Sequence, residues 1–176
     1  MAASGSTEAP TRFVGLDVHK YYLVAVGVDA EGEKLFGPQR VPLEDLGTWI
    51  VKRVTPQDAV VIEMTTNAYQ LHDDLAPHVC TVTLVHPPHI ALITRARVMT
   101  DRIAALTLAR LHAAGLLPPV WVPPAEIRDE RALVAHRSNM VRLATQAKNR
   151  LYAVLHHYHL APPEAIFFPR PSARGG

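Results

Sequence analysis

The stretch TRFVGLDVHKYYLVAVGVD, residues 11–29, decides the fold. Two apolar runs, at 13–18 and 23–28, flank a short polar segment, which predicts two strands joined by a tight turn. Asp17 interrupts the first run between Leu16 and Val18. Because Asp is depleted in strands and costly to bury without a partner, this carboxylate is either hydrogen-bonded structure or a ligand for a cation.

The composition bounds the class of protein. The chain has 176 residues, 48% of them hydrophobic, which is enough for one domain with a core and an appendage. No run approaches the roughly 20 apolar residues of a membrane helix. The small, polar start MAASGSTEAPTR is unlike a signal peptide. Cys80 is the only cysteine, which excludes an internal disulfide and a cysteine-based zinc site and favours a cytoplasmic location.

The charge is unevenly distributed along the chain. Residues 1–124 hold 10 Lys and Arg against 12 Asp and Glu, whereas residues 125–176 hold 8 against 4. Between Arg131 and Leu160 there are five basic residues and no acidic one. This basic excess indicates a nucleic-acid partner for the second part; the alternative is a helix face that is merely solvated.

The order of the elements predicts the fold class. After the hairpin, we expect strands at 34–41, 59–62 and 81–85 and helices at 43–53, 68–76, 89–98 and 102–114. Thr65, Thr66 and Asn67 are the residues that could cap the second helix. A three-strand meander followed by α/β units is the pattern of a ribonuclease-H-like, or RuvC-like, domain, an α/β fold with a mixed sheet and flanking helices. We place this domain at residues 12–115.

The second half of the chain predicts a helical arm. Residues 116–124, LLPPVWVPP, are proline-dense and form a semi-rigid connector. Residues 125–160 then read as one long helix with a coiled-coil-like apolar seam, so we expect a homo-oligomer through this arm. The seam residues are Leu133, Met140, Ala144, Ala147, Leu151, Val154 and Tyr158. Residues 1–11 and 161–176 are predicted to be disordered tails.

Three carboxylates are candidates for one metal site. Asp17 interrupts the first strand, Glu63 ends the fourth and Asp101 lies near the start of a later helix. If strands one and four are parallel neighbours, Asp17 and Glu63 meet at the carboxyl edge of the sheet, where ligands gather. Carboxylates at such a short separation repel one another unless they share a proton or a cation such as Mg²⁺. Such a site would serve phosphodiester chemistry.

Each acid also has a purely structural interpretation. Asp17 could accept from backbone amides in the turn, Glu63 could accept from the polar residues that follow it, and Asp101 could be an acid favoured by the helix dipole. The spacing alone does not choose between these interpretations and the metal site.

Five blocks of the sequence resemble the DEDD transposases of the IS110 family. They are GLDVHK (15–20), VIEMTTNAY (61–69), HPP (86–88), MTDRIAALTLA (99–109) and LVAHRSNMVRLATQAKNRL (133–151). Their order and spacing match across nearly the whole chain. The resemblance implies a RuvC-like domain with four acids that bind Mg²⁺, a coiled-coil arm, a C-terminal domain with a nucleophilic serine, and DNA recombination guided by a structured bridge RNA.

The resemblance assigns roles to residues of this chain. It makes Asp17, Glu63 and Asp101 the first three catalytic, metal-binding acids of a prokaryotic, cytoplasmic transposase. Lys20 and Arg102 lie beside these acids and could meet a phosphate, or equally could neutralise an empty acidic site. The basic residues of the arm that could bind nucleic acid are Arg131, Arg137, Arg142, Lys148 and Arg150.

Two departures from the family pattern bear on activity. The fourth acid is replaced by Ala104 and a lysine by Met99, and the chain ends after the arm, without the serine domain. We therefore expect either a fragment or a decayed copy. The alternatives to an active transposase portion are an inactive nucleic-acid-binding remnant and a coiled-coil dimerisation module.

Overall fold

The computed structural model describes residues 9–86 and 100–161. They fall into two units, which divide between Val122 and Pro123. The predicted helix at 89–98 lies outside the described residues, as do nearly all of the two predicted tails.

The first unit contains three consecutive strands followed by alternating helices and strands. In chain order it contains β1 (Arg12–Val18), β2 (Tyr22–Val28), β3 (Lys34–Pro42), α1 (Leu46–Arg53), β4 (Asp58–Glu63), α2 (Ala68–Leu75), β5 (Thr81–Val85) and α3 (Asp101–Ala113). The strands form one sheet in the order β3-β2-β1-β4-β5. β1 pairs antiparallel with β2 and parallel with β4, so the sheet is mixed. This α/β architecture is consistent with the predicted ribonuclease-H-like fold.

Helices cover both faces of the sheet. On one face, Leu16 and Ile62 pack in a core with Trp49 of α1 and Leu71 of α2. On the other face, the alternate residues of the strands pack against α3. Because both faces are covered, the apolar run of β4 is almost wholly removed from solvent, as its sequence predicts.

Two details of the predicted helices are wrong. The helix predicted at 43–53 begins with a separate 3-10 turn, Leu43–Asp45, whose first N–H donates to the Tyr21 carbonyl. Asn67 stands at the N-cap of α2 but makes no side-chain cap bond, because its Oδ1 accepts the Thr65 hydroxyl at 2.7 Å. Gly115 lies just after the end of α3. Its φ of +67° is a left-handed conformation that glycine adopts without steric cost.

The second unit contains one long helix, α4 (Ala125–His157), of 33 residues. At 1.5 Å per residue it is about 50 Å long. No residue of α4 is buried, and Leu133 and Val154 of the predicted seam are 71% and 56% exposed. In the part of the chain that is described, no helix is both long and apolar enough to cross a bilayer.

Candidate metal centre

The parallel pairing of β1 and β4 brings two of the predicted acids to one edge of the sheet. Leu16 pairs with Ile62, and the next residue on each strand is the acid, Asp17 on β1 and Glu63 on β4. Alternation along the strands turns both acids away from the core of α1 and α2 and toward the face that α3 covers. The conditional prediction that these strands are parallel neighbours is confirmed.

Gly15 allows α3 to approach β1 closely enough to bring the third acid to the same edge. A Cβ atom at this position would collide with the Ala105 carbonyl oxygen and lie 2.6 Å from the Ala109 nitrogen. Both alanines are fully buried. The small residues on each side therefore set the height of α3 above the sheet, and Asp101, its first residue, lies at the carboxyl end of β1.

His19 connects two of the acids. Its Nε2 lies 3.2 Å from Asp17 Oδ2 and 3.3 Å from Asp101 Oδ2. One ligand atom from each of Asp17, His19 and Asp101 lies within 4.8 Å of the others, so the three could share one cation. Glu63 does not belong to this tight group, although its electrostatic interaction with Asp17 places it in the same field.

Tyr22, the first residue of β2, forms one wall of the site. Its hydroxyl donates to Asp101 Oδ2 at 2.9 Å. Its ring stacks on the His19 imidazole, with centroids 4.5 Å apart, and the Arg40 guanidinium carbon lies 3.8 Å from the ring centroid. His19, Tyr22 and Arg40 thus form a stacked row that runs from the acids to β3.

The carboxylates differ in their electrostatics. Burial raises the pKa of Asp17, and the nearby His19 offsets part of this rise. Burial raises the pKa of Glu63 as well, with a further contribution from the Asp17 charge. The hydrogen bond from Tyr22 lowers the pKa of Asp101. The site therefore contains two partly buried acids, Asp17 and Glu63, whose ionised forms are disfavoured, and one acid, Asp101, whose ionised form is stabilised. A bound cation would neutralise their negative charge.

The other predicted residues have less defined positions. Ala104 lies one turn after Asp101 on α3, which puts the two residues on the same face of that helix. Lys20 is exposed and its ammonium lies 5.0 Å from the Tyr21 ring centroid. Arg102 is exposed at the start of α3. The five basic residues predicted to bind nucleic acid all lie on α4, and Met99 is outside the described residues.

Sequence reasoning missed His19, Tyr22 and Arg40. His19 could have been found, because it follows Asp17 by two residues, the spacing that puts two side chains on one face where the backbone is extended. Tyr22 and Arg40 depend on how β2 and β3 pair with β1, and that register is visible only in the folded chain.

An α/β domain with acids and a histidine at the ends of its central parallel strands is suited to binding a divalent cation. A family model described as a transposase, the DEDD group of the IS110 type, matches residues 14–160. The match covers most of the 176 residues, so the chain belongs to the IS110-family transposases, in their N-terminal domain. This membership implies DNA binding. No curated protein matches the chain.

Proposed function

We propose that the chain is the N-terminal portion of a bridge-RNA-guided DNA transposase whose Asp17, Glu63 and Asp101 hold Mg²⁺ for DNA strand transfer. The observation that supports this most strongly is the convergence of three acids from separate segments at one sheet edge. It occurs in the domain that the family match identifies. We further propose that the protein acts in the cytoplasm of a prokaryotic cell.

The donor set fits a hard divalent cation. Carboxylate oxygens are the ligands that Mg²⁺ prefers, with waters completing its coordination. Burial raises the pKa values of Asp17 and Glu63, and a neighbouring carboxylate adds to each rise, so a bound cation would stabilise their ionised forms. When bound, Mg²⁺ would supply the positive charge that polarises a phosphodiester and activates the attacking oxygen.

The chain's own residues have distinct roles in this proposal. The two strands fix Asp17 and Glu63, and the Tyr22 hydroxyl holds Asp101 in its ionised form. Lys20 and Arg102 contact phosphates beside the acids. The basic residues of the arm add phosphate contacts to DNA or the guide RNA; they are Arg131, Arg137, Arg142, Lys148 and Arg150.

Ala104 favours a second candidate, an inactive nucleic-acid-binding remnant. Without the fourth carboxylate, the site has less negative charge with which to hold two cations, so we expect weak metal binding and little cleavage. We expect Ala104→Asp to tighten Mn²⁺ binding by about tenfold or more, since it adds an oxygen ligand on the face that Asp101 occupies. Isothermal titration calorimetry measures this affinity.

Two variants control for Ala104→Asp. Ala104→Asn has a similar size but no charge and should give a smaller gain. Ile103→Asp adds the same charge one residue earlier on α3, at a side chain that is 48% exposed, and should leave the Mn²⁺ affinity nearly unchanged. If Ala104→Asp and Ile103→Asp change the Mn²⁺ affinity equally, or if neither changes it, the proposed metal site is wrong. The chain is then an inactive nucleic-acid-binding remnant.

We also propose that the arm associates with a second copy of the chain through its apolar seam. The double variant Leu151→Asp/Val154→Asp places charges in that seam and should yield monomers in analytical ultracentrifugation, because an apolar coiled-coil interface does not tolerate buried, unpaired acids. Gln146→Asp/Asn149→Asp adds the same charge between seam positions and should leave the mass unchanged. A monomeric wild-type chain would refute the dimer.

A further inference from the structure

A groove opens beside the candidate metal centre, on the α3 side of the sheet. It has a volume of about 580 Å³, and its lining includes Tyr22 and Arg40 from the β2–β3 wall and Asp101 and Arg102 from the start of α3. Asp101 belongs both to this groove and to the group of atoms that could hold a cation. A polyanionic strand that lay in the groove would therefore pass directly beside the acids.

Two guanidinium groups flank the groove without a carboxylate partner among the described residues. Arg40 lies over the Tyr22 ring, and Arg102 is exposed at the second position of α3. Asp101, which lines the same groove, already accepts the Tyr22 hydroxyl and lies close to His19. Both guanidiniums thus keep their hydrogen-bond donors available to a ligand, and guanidinium groups bind phosphate oxygens in a planar, paired geometry.

The stacked row fixes the position of one of these cations. Tyr22 has the His19 imidazole and the Arg40 guanidinium against its ring, and its hydroxyl is bonded to Asp101. The ring is therefore held at both its edge and its faces, and a guanidinium stacked on a fixed ring loses less freedom when it binds a ligand. Arg40 and Asp101 line the same groove, so the positive charge of Arg40 lies beside the acids of the site.

We infer that this groove binds the phosphodiester backbone of the DNA strand, with Arg40 and Arg102 on successive phosphates and Tyr22 as the platform for Arg40. The inference rests on the proposed function, because the acids supply the reason for a strand to pass here. It adds Arg40 and Tyr22, which neither the sequence pattern nor the family match singles out, as residues that position the strand.

The test is the salt dependence of DNA binding by the full chain. Fluorescence anisotropy with a single-stranded DNA of about 15 nucleotides, in Ca²⁺ at several salt concentrations, gives the affinity and its slope. We expect Arg40→Gln/Arg102→Gln to weaken binding about tenfold and to reduce the slope by about 1.4, that is, about 0.7 for each lost phosphate contact on a single strand. Tyr22→Leu should weaken binding less than the double variant, and Tyr22→Phe, which keeps the ring but loses the hydroxyl that holds its edge, should weaken it less still.

The matched control is Lys52→Gln/Arg53→Gln, which removes two exposed cations at the end of α1, on the opposite face of the sheet. It should leave both affinity and slope unchanged. An equal effect of the two double variants, or none from Arg40→Gln/Arg102→Gln, would overturn the groove. A loss confined to single-stranded RNA of the same sequence would overturn the assignment to DNA.

Calorimetry with Mn²⁺ separates this inference from the proposed function. The groove variant should keep the wild-type Mn²⁺ affinity within about fivefold, because exposed charges interact weakly. A groove variant with normal Mn²⁺ binding and unchanged DNA binding refutes the groove alone. A wild-type chain without Mn²⁺ binding refutes the metal site, whatever the groove variant does to DNA.

Discussion

The substitution Asp17→Asn is expected to abolish the thermal stabilisation that Mn²⁺ gives the wild-type chain. A ligand that binds only the folded state at about 100 times its Kd stabilises that state by about 2.7 kcal/mol, which corresponds to a rise in Tm of roughly 10–20 °C for a domain of about 100 residues. Asp17 supplies an oxygen from β1, the central strand of the sheet. Differential scanning calorimetry with and without Mn²⁺ measures the effect.

The same substitution should stabilise the metal-free protein at neutral pH. The folded-state pKa of Asp17 is raised above its ordinary value of 3.8 and that of Glu63 above 4.5. A raised acid pKa means that the charged form opposes folding at neutral pH, and this opposition disappears as the pH falls through the folded-state pKa. Asp17→Asn removes the Asp17 part of this opposition, so the metal-free variant should also show a weaker rise in stability as the pH falls from about 7 through the folded-state pKa toward the ordinary value of 3.8.

The control for this prediction is Asp45→Asn, which removes the same charge at an exposed position before α1, on the other side of the sheet. It should retain the full Mn²⁺-dependent rise in Tm. A persistent rise in Asp17→Asn, with the same size as in the control, would show that Mn²⁺ binds elsewhere.

The sequence could predict the meeting of Asp17 and Glu63 because it depends on local pattern and one topological rule. Each acid ends or interrupts an apolar run, and the carboxyl ends of parallel strands lie at one edge of a sheet. The burial of β4 on both faces followed in the same way from its unbroken apolar run. Both features depend on short stretches of sequence, in which the apolar pattern alone indicates which residues are buried.

The surroundings of the acids could not be predicted, because they depend on distances between segments that are far apart in the chain. The approach of Asp101 follows from Gly15 facing Ala105 and Ala109 across 90 or more residues of sequence. The position of Arg40 near Tyr22 follows from the pairing of Val24 with Arg40 on β3. In both cases the decisive quantity is which residues pack opposite one another, and a single sequence does not contain it.

Asp58 shows a different kind of failure. The sequence predicts a strand that begins one residue later, at 59, yet Asp58 is the first residue of β4 and is fully buried. Its carboxylate accepts two hydrogen bonds from Arg12, at 2.7 and 2.6 Å, and two from Thr55, at 2.9 and 3.0 Å. A polar residue next to a strand gives no sign that it will be buried unless its partner is known, and Arg12 is 46 residues away.

Removing Arg12 should therefore destabilise the domain more than any surface substitution. Arg12→Met leaves the Asp58 carboxylate buried without its counter-charge, and breaking such a pair costs about 3–5 kcal/mol, a large part of the 5–15 kcal/mol that holds a typical domain folded. Urea unfolding followed by circular dichroism measures the loss. Lys52→Met, at an exposed site on α1, should change the free energy of unfolding by no more than about 0.5 kcal/mol.

A double-mutant cycle separates the charge of Asp58 from its hydrogen bonds. Asp58→Asn keeps an oxygen that can accept from Thr55 but removes the negative charge, so Arg12→Met should cost much less in that background than in the wild type. The difference between the two costs is the coupling between the charges, and we expect about 2 kcal/mol or more. If Arg12→Met is equally costly in both backgrounds, the contribution of Arg12 comes from its packing and from its hydrogen bond to the Arg53 carbonyl, at 2.7 Å, and not from the ion pair.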